Sequence, residues 1–198
     1  KVPGIDAAPA FSPTGGAIVF RSTRDGNPEI YKMTATGKSQ RRLTDNPASD
    51  DNPTWSPDGK RIVFQSFRDG NAEIYSMAAD GTGPVRLTTD PSADETASYS
   101  PNGRRILFVS ARTGRAKLWI MNADGTGPTQ LSTGPGVDRF PCWAERGRKI
   151  VFESTRGRTS RQGPKLWIMN ADGTGAHLVS RSRAANGHPG CRAPKPAR

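Results

Sequence analysis

The sequence predicts an all-β chain built from four-stranded antiparallel blades, and three observations carry that prediction. Asp6, Asp50, Asp94 and Asp138 recur every 44 residues. Phe11, Trp55, Tyr99 and Trp143 keep the same spacing, as do Phe20, Phe64, Phe108 and Phe152. Within each period, short apolar–polar alternations are separated by turns rich in Gly and Pro. Four strands in a unit of roughly 40–45 residues is the signature of a β-propeller blade.

The second repeat shows each element in turn. Asn52 to Ser56 reads as the first strand, and Ser56-Pro57-Asp58-Gly59 as the turn after it: Pro fixes φ, and Gly accepts a positive φ. Lys60 to Ser66 is the second strand, with Ile62 and Phe64 alternating against Arg61 and Gln65 at period 2. Arg68-Asp69-Gly70-Asn71 makes the next turn. Glu73 to Met77 is the third strand, and Asp80-Gly81 leads into the fourth, Val85 to Thr88. The blades fall at 6–49, 50–93, 94–137 and 138–184 within a propeller of 1–184. A basic, Pro-containing tail, 185–198, follows as an aborted fifth blade. Blade 4 departs from the pattern: Ala144-Glu145-Arg146-Gly147 replaces Ser-Pro-Asp-Gly. Phe152 and Trp167 stand 15 positions apart, against 11 for Phe108 and Trp119.

Composition agrees with this reading. Of 198 residues, 33% are hydrophobic, with 22 Gly and 17 Pro, and the mean hydropathy is −0.68. That load of helix breakers excludes a long helical bundle. No apolar run approaches the roughly 18 residues of a membrane-spanning helix. Blades stacked face to face explain how so polar a chain buries a core. The 29 Lys and Arg against 18 Asp and Glu give +11. By segment the charge is +3 over 1–49, −3 over 50–93, +2 over 94–136 and +9 over 137–198. The excess therefore belongs to blade 4 and the tail. There Arg156, Arg158 and Arg161 are candidate ligands for an anionic polymer. Aromatic residues do not interleave with them, which weighs against a single-strand stacking platform.

The segments Trp55-Ser56-Pro57-Asp58-Gly59, Asp69-Gly70-Asn71-Ala72-Glu73-Ile74-Tyr75 and Asp80-Gly81-Thr82-Gly83 resemble the WD40-like (PD40) repeat of TolB-type propellers. The resemblance covers residues 6–180. It implies a six-bladed fold, of which two blades are missing here, so the arc is closed at four blades, open, or completed by a second copy. It also implies an exported, periplasmic or extracellular chain whose signal peptide has been removed, with a cytoplasmic location left open. The implied role is non-enzymatic: a scaffold docking a protein partner, Pal-like or another envelope protein, at the channel mouth. The alternatives are a carbohydrate-binding or polysaccharide-active propeller of oligogalacturonate-lyase type, and a propeller separated from a peptidase-type domain.

Comparison between repeats separates scaffold from candidate site. The Asp column is constant, and its bland role is to bond amides of its own blade. The next two columns vary: Ala7, Asp51, Glu95, Arg139, and then Ala8, Asn52, Thr96, Phe140. The expected partner surface is Asp50, Asp51, Asn52, Asp94, Glu95, Asp138 and Arg139. The turn aspartates Asp25, Asp58, Asp69, Asp80, Asp124 and Asp172 lack the spacing of a calcium loop. Neither a metal nor a cofactor is expected. The two histidines, His177 and His188, fall at peripheral positions, and no G-x-S-x-G elbow occurs. Cys142 and Cys191 occupy nearly equivalent points of blade 4 and the tail, where a disulfide and two unpaired thiols are both open readings.

Overall fold

A computed structural model of the chain describes residues 4–157 and 163–179. The Gly- and Asp-rich turns bring each repeat back on itself as an antiparallel meander. Blade 1 holds β1 (Asp6–Phe11), β2 (Ala17–Ser22), β3 (Glu29–Thr34) and β4 (Arg41–Arg42). Blade 2 holds β5 (Asp50–Trp55), β6 (Arg61–Ser66), β7 (Glu73–Ala78) and β8 (Val85–Arg86). Blade 3 holds β9 (Asp94–Tyr99), β10 (Arg105–Ser110), β11 (Lys117–Asn122) and β12 (Thr129–Gln130). Blade 4 holds β13 (Asp138–Ala144), β14 (Lys149–Ser154), β15 (Lys165–Asn170) and β16 (His177–Leu178). Each blade is a four-stranded sheet in sequential order.

In blade 2, two strand ends lie two residues from the expected bounds and three others lie one residue away. β5 begins at Asp50, because Asp50 and Asp51 pair with Ser66 and Gln65 before the register shifts ahead of Thr54. β8 stops at Arg86, because the Thr88 side chain replaces the ladder: the Ile74 N–H donates to Thr88 Oγ1 at 2.8 Å. In blade 4, Glu145–Gly147 forms a 3₁₀ turn where the other blades have Ser-Pro-Asp-Gly or its near equivalent.

The period-2 alternation places the core between blades. Ile62, Phe64, Tyr75 and Met77 pack with Val19 and Ile30 of blade 1. Their alternates Val63 and Ile74 pack with Ile106, Phe108 and Met121 of blade 3. Leu107, Leu118 and Ile120 meet Ile150, Phe152 and Met169 of blade 4. The inner strands β1, β5, β9 and β13 lie side by side in that order.

Among the described strands, none of blade 4 meets one of blade 1. Side chains on the first inner strand register this. Phe11 is 62% exposed, whereas its counterpart Tyr99 is 8% exposed against blade 2. The turn glycines agree. A Cβ on Gly81 (φ +92) would lie 2.8 Å from the Leu43 carbonyl of the preceding blade, while one on Gly37 would meet nothing within 4 Å.

Candidate functional site

Each inner strand starts with the constant aspartate, and each second strand ends with Ser-x-Arg. The antiparallel register sets these opposite each other. Asp50 faces Ser66, and the Arg68 guanidinium returns with Nε donating to Ser66 Oγ at 2.7 Å and Nη2 to Asp50 Oδ2 at 2.9 Å. The other blades repeat the unit. Arg24 pairs with Asp6 at 3.0 Å, Arg112 with Asp94 at 2.7 Å and Arg156 with Asp138 at 2.7 Å. Each guanidinium also lies over two rings, as Arg112 does over Phe108 and Trp119. A weakly hydrated, planar cation suits both the carboxylate and the ring faces.

Burial sets the direction in which two of these carboxyls shift. Asp50, Asp94 and Asp138 are all 0% exposed. Burial pushes the Asp94 carboxyl above its usual range, despite the opposing bonds from Ser110 and Arg112, and the Glu73 carboxylate adds to the rise. Asp50 is raised for the same leading reason. In Asp6, at the open edge, the smaller burial is outweighed by bonds from Ser22 and Arg24, and its carboxyl is lowered.

These positions correct the expected surface. Asp50, Asp94 and Asp138 are buried inside their own blades, out of a partner's reach. Arg156, read as an anion ligand, spends its guanidinium on Asp138, on Ser154 and over Phe152 and Trp167. Arg158 and Arg161 lie outside the described residues, as do Cys191, His188 and the tail from 180. Cys142 lies on β13 opposite Val151 and is not a free thiol. The Asp–Arg pairing was missed in the sequence, although its signal is there: Arg24, Arg68, Arg112 and Arg156 share the 44-residue period. The aspartates of the Asp-Gly-Thr turns are also occupied locally. Asp80, Asp124 and Asp172 accept from Thr82, Thr126 and Thr174, which lowers their carboxyls.

The two variable columns behave differently. Ala8, Asn52, Thr96 and Phe140 all hold φ between 49° and 52°. They lie in the register shift that each inner strand makes after its second residue. Such a β-bulge lifts side chains out of the ladder. A left-handed backbone is tolerable for Asn but costs a β-branched Thr or a Phe of order 1 kcal/mol or more. The preceding column is partly or fully exposed at Asp51, Glu95 and Arg139. Neighbouring blades meet here. Arg21 bonds Asp51 at 3.2 Å, Gln65 accepts from Asn52 of its own blade at 3.1 Å and from the Thr96 N–H of the next at 3.4 Å, and the Thr96 hydroxyl is buried without a partner.

Four meandering sheets joined in series through their inner strands make this a repeat propeller arc, with a row of bulged residues where the inner strands begin. The family model of the TolB beta propeller domain (PD40) matches residues 1–111 and 94–194. The chain belongs to the TolB beta-propeller family. It is 40% identical over 43 residues to the Tol-Pal system protein TolB of Gluconobacter oxydans (strain 621H), a match that covers 22% of this chain and 10% of that protein. A structure assigned as TolB from Agrobacterium tumefaciens superposes with TM-score 0.76 at 30% identity, covering 85% of this chain and 62% of that one. TolB from Acinetobacter baumannii gives 0.73 at 29% identity, covering 84% and 41%. The chain thus spans less than two thirds of the length of these relatives. No helix among the described residues is long and apolar enough to cross a membrane.

Proposed function

We propose that this chain is a non-enzymatic, TolB-like propeller scaffold of the cell envelope that docks a protein partner on the bulged ends of its inner strands. The bulge row carries the reading. Its backbone conformation is the same in every blade, yet the residues on it are Ala, Asn, Thr and Phe. Thr96 and Phe140 are poor choices for the backbone, so their side chains were chosen for something else. Beside them, Asp51, Asn52, Glu95 and Arg139 vary in charge and shape. The constant aspartates hold the frame and leave specificity to these columns. Family membership supports an envelope setting with a Pal-like or similar partner, periplasmic or extracellular. An oxidising compartment also fits a Cys142 that is not a free thiol.

The test is capture from an envelope fraction by the chain and by an Asp51→Ala, Glu95→Ala double variant. Asp51 pairs with Arg21 only at a partly exposed site, so the variant should lose at most about 1 kcal/mol of stability. Capture of the partner should fall about tenfold; undiminished capture removes these columns from the interface.

A second association follows from Phe11. Inner-strand aromatics pack on the preceding blade: Trp55 Nε1 donates to the Ala10 carbonyl at 3.1 Å. Phe11, which has no such donor, offers its exposed ring to packing against another copy as a head-to-tail interface. Sedimentation should show concentration-dependent association that Phe11→Glu abolishes. A chain that stays monomeric at every concentration rules this contact out.

A further inference from the structure

The outward face of blade 4 repeats a surface that the earlier blades bury. Cys142 lies opposite Val151, and Val151 opposite Ile168, so the three share one face of the sheet. One period earlier the row is Ser98, Leu107 and Ile120. There Leu107 and Ile120 pack on Ile150, Phe152 and Met169 of the next blade. Val19, Val63 and Leu107 are 0% exposed, as are Ile30, Ile74 and Leu118. Their counterparts Val151 and Leu166 are only half-buried. Among the described strands, those of blade 4 meet only one another and those of blade 3, which lie on the opposite face.

The spacing of the repeats says what reaches this face. β4, β8 and β12 end at residues 42, 86 and 130, and the next inner strand starts eight residues later each time, at Asp50, Asp94 and Asp138. β16 ends at Leu178, and the same step arrives at Asn186. From there the inner-strand pattern returns. Pro189 stands where Pro9, Pro53 and Pro141 stand, and Cys191 falls in the column of Phe11, Trp55, Tyr99 and Trp143.

That column points back at the preceding blade. Trp55 Nε1 donates to the Ala10 carbonyl at 3.1 Å and Trp143 Nε1 to the Ser98 carbonyl at 3.5 Å. The column of Ala10, Thr54, Ser98 and Cys142 points forward: Thr54 Oγ1 donates to the Ala97 carbonyl of the next blade at 3.0 Å. Position 55 thus meets position 10, and position 143 meets position 98. One unit further, the same register sets position 191 against Cys142. Cys142 is disulfide-bonded, and Cys191 is the one other cysteine of the chain.

We infer that residues 186–191 seat on the outward face of blade 4 as the inner segment of a fifth unit, clasped there by a Cys142–Cys191 disulfide. The segment covers the inner part of the apolar face. Its Asn186 N–H donates to the Pro164 carbonyl, as the N–H groups of Asp50, Asp94 and Asp138 donate to Pro28, Ala72 and Ala116. Seat and bond support each other, because two thiols held in register have a higher effective concentration than one thiol on a loose tether. The inference is independent of the bulge row.

The test uses the full chain carrying Phe11→Glu, so that head-to-tail association does not enter. Tryptic digestion of the monomer without reductant should yield the peptide 140–146 linked to 184–192. The effective concentration of the two thiols is then measured in glutathione buffers of stepped potential. It is compared with that of a variant whose cysteine is moved by one residue, Gly190→Cys with Cys191→Ser. Position 190 falls in the forward-pointing column, which holds Ala, Thr, Ser and Cys in the four blades and so accepts a side chain. The moved thiol faces away from Cys142, and the effective concentration should fall about tenfold. Circular dichroism checks that both forms are folded. An equal or higher value at position 190 overturns the seat, since a loose tail presents either thiol alike. A disulfide-linked dimer in place of the linked peptides of the monomer overturns it as well.

Discussion

Arg112→Met should lower the unfolding free energy by about 3–5 kcal/mol at neutral pH, because it strands a buried carboxylate. Asp94 is 0% exposed. Its Oδ2 accepts from Arg112 at 2.7 Å, and its Oδ1 has no partner. With the cation gone, only the bonds from Ser110 and Thr88 oppose the burial that already holds this carboxyl above 3.8. The sign of the pH dependence follows. A carboxyl raised in the folded state stabilises the fold in its protonated form. That contribution is full below the unfolded value of 3.8 and is lost as pH rises through the folded value. The deficit of Arg112→Met in urea denaturation should therefore shrink as pH falls through the folded pKa of Asp94. Adding Asp94→Asn should recover much of it at neutral pH. A deficit equal at both pH values would assign the loss to ring packing over Phe108 and Trp119 instead.

Phe108→Ala should cost about 3–5 kcal/mol, the range for emptying a fully buried aromatic site. Phe108 is 0% exposed and lies among Val63, Ile74, Ala97 and Met121, at the seam between blades 2 and 3. Stability in a repeat protein is close to a sum of units and nearest-neighbour interfaces. Weakening the middle seam should therefore split a single unfolding transition into two. Phe20→Ala, the equivalent change in blade 1, should cost less, because the cluster around Phe20 draws on its own blade alone. Equal losses at the two positions would contradict an arc with an unpartnered first blade.

Much of the fold was legible before any coordinates. The 44-residue period, the Asp-Gly turns and the alternation in Arg61–Gln65 suffice for four meandering sheets. The site was legible only in part. Asp50, Asp94 and Asp138 stood out because they never vary, but constancy does not tell a buried frame from an exposed ring. What makes them frame is Arg68, Arg112 and Arg156, 18 residues on, and only the β-hairpin register brings those into contact. The bulge at Asn52 and Thr96 was equally hidden, since neither residue type signals a left-handed backbone by itself in a strand. The place of Lys117 was hidden as well, since only the fold sets its ammonium 3.2 Å from Asp138.

The sequence by itself determined the repeat unit, the four strands of each blade and their order. Those follow from local rules, namely turn chemistry and a side-chain period of 2. Only the tertiary structure decided which charges are spent and which remain. That outcome depends on burial and on contacts between residues far apart in the chain. Each constant aspartate is thus matched by an arginine of its own blade, while Asp51, Glu95 and Arg139 stay partly or fully exposed.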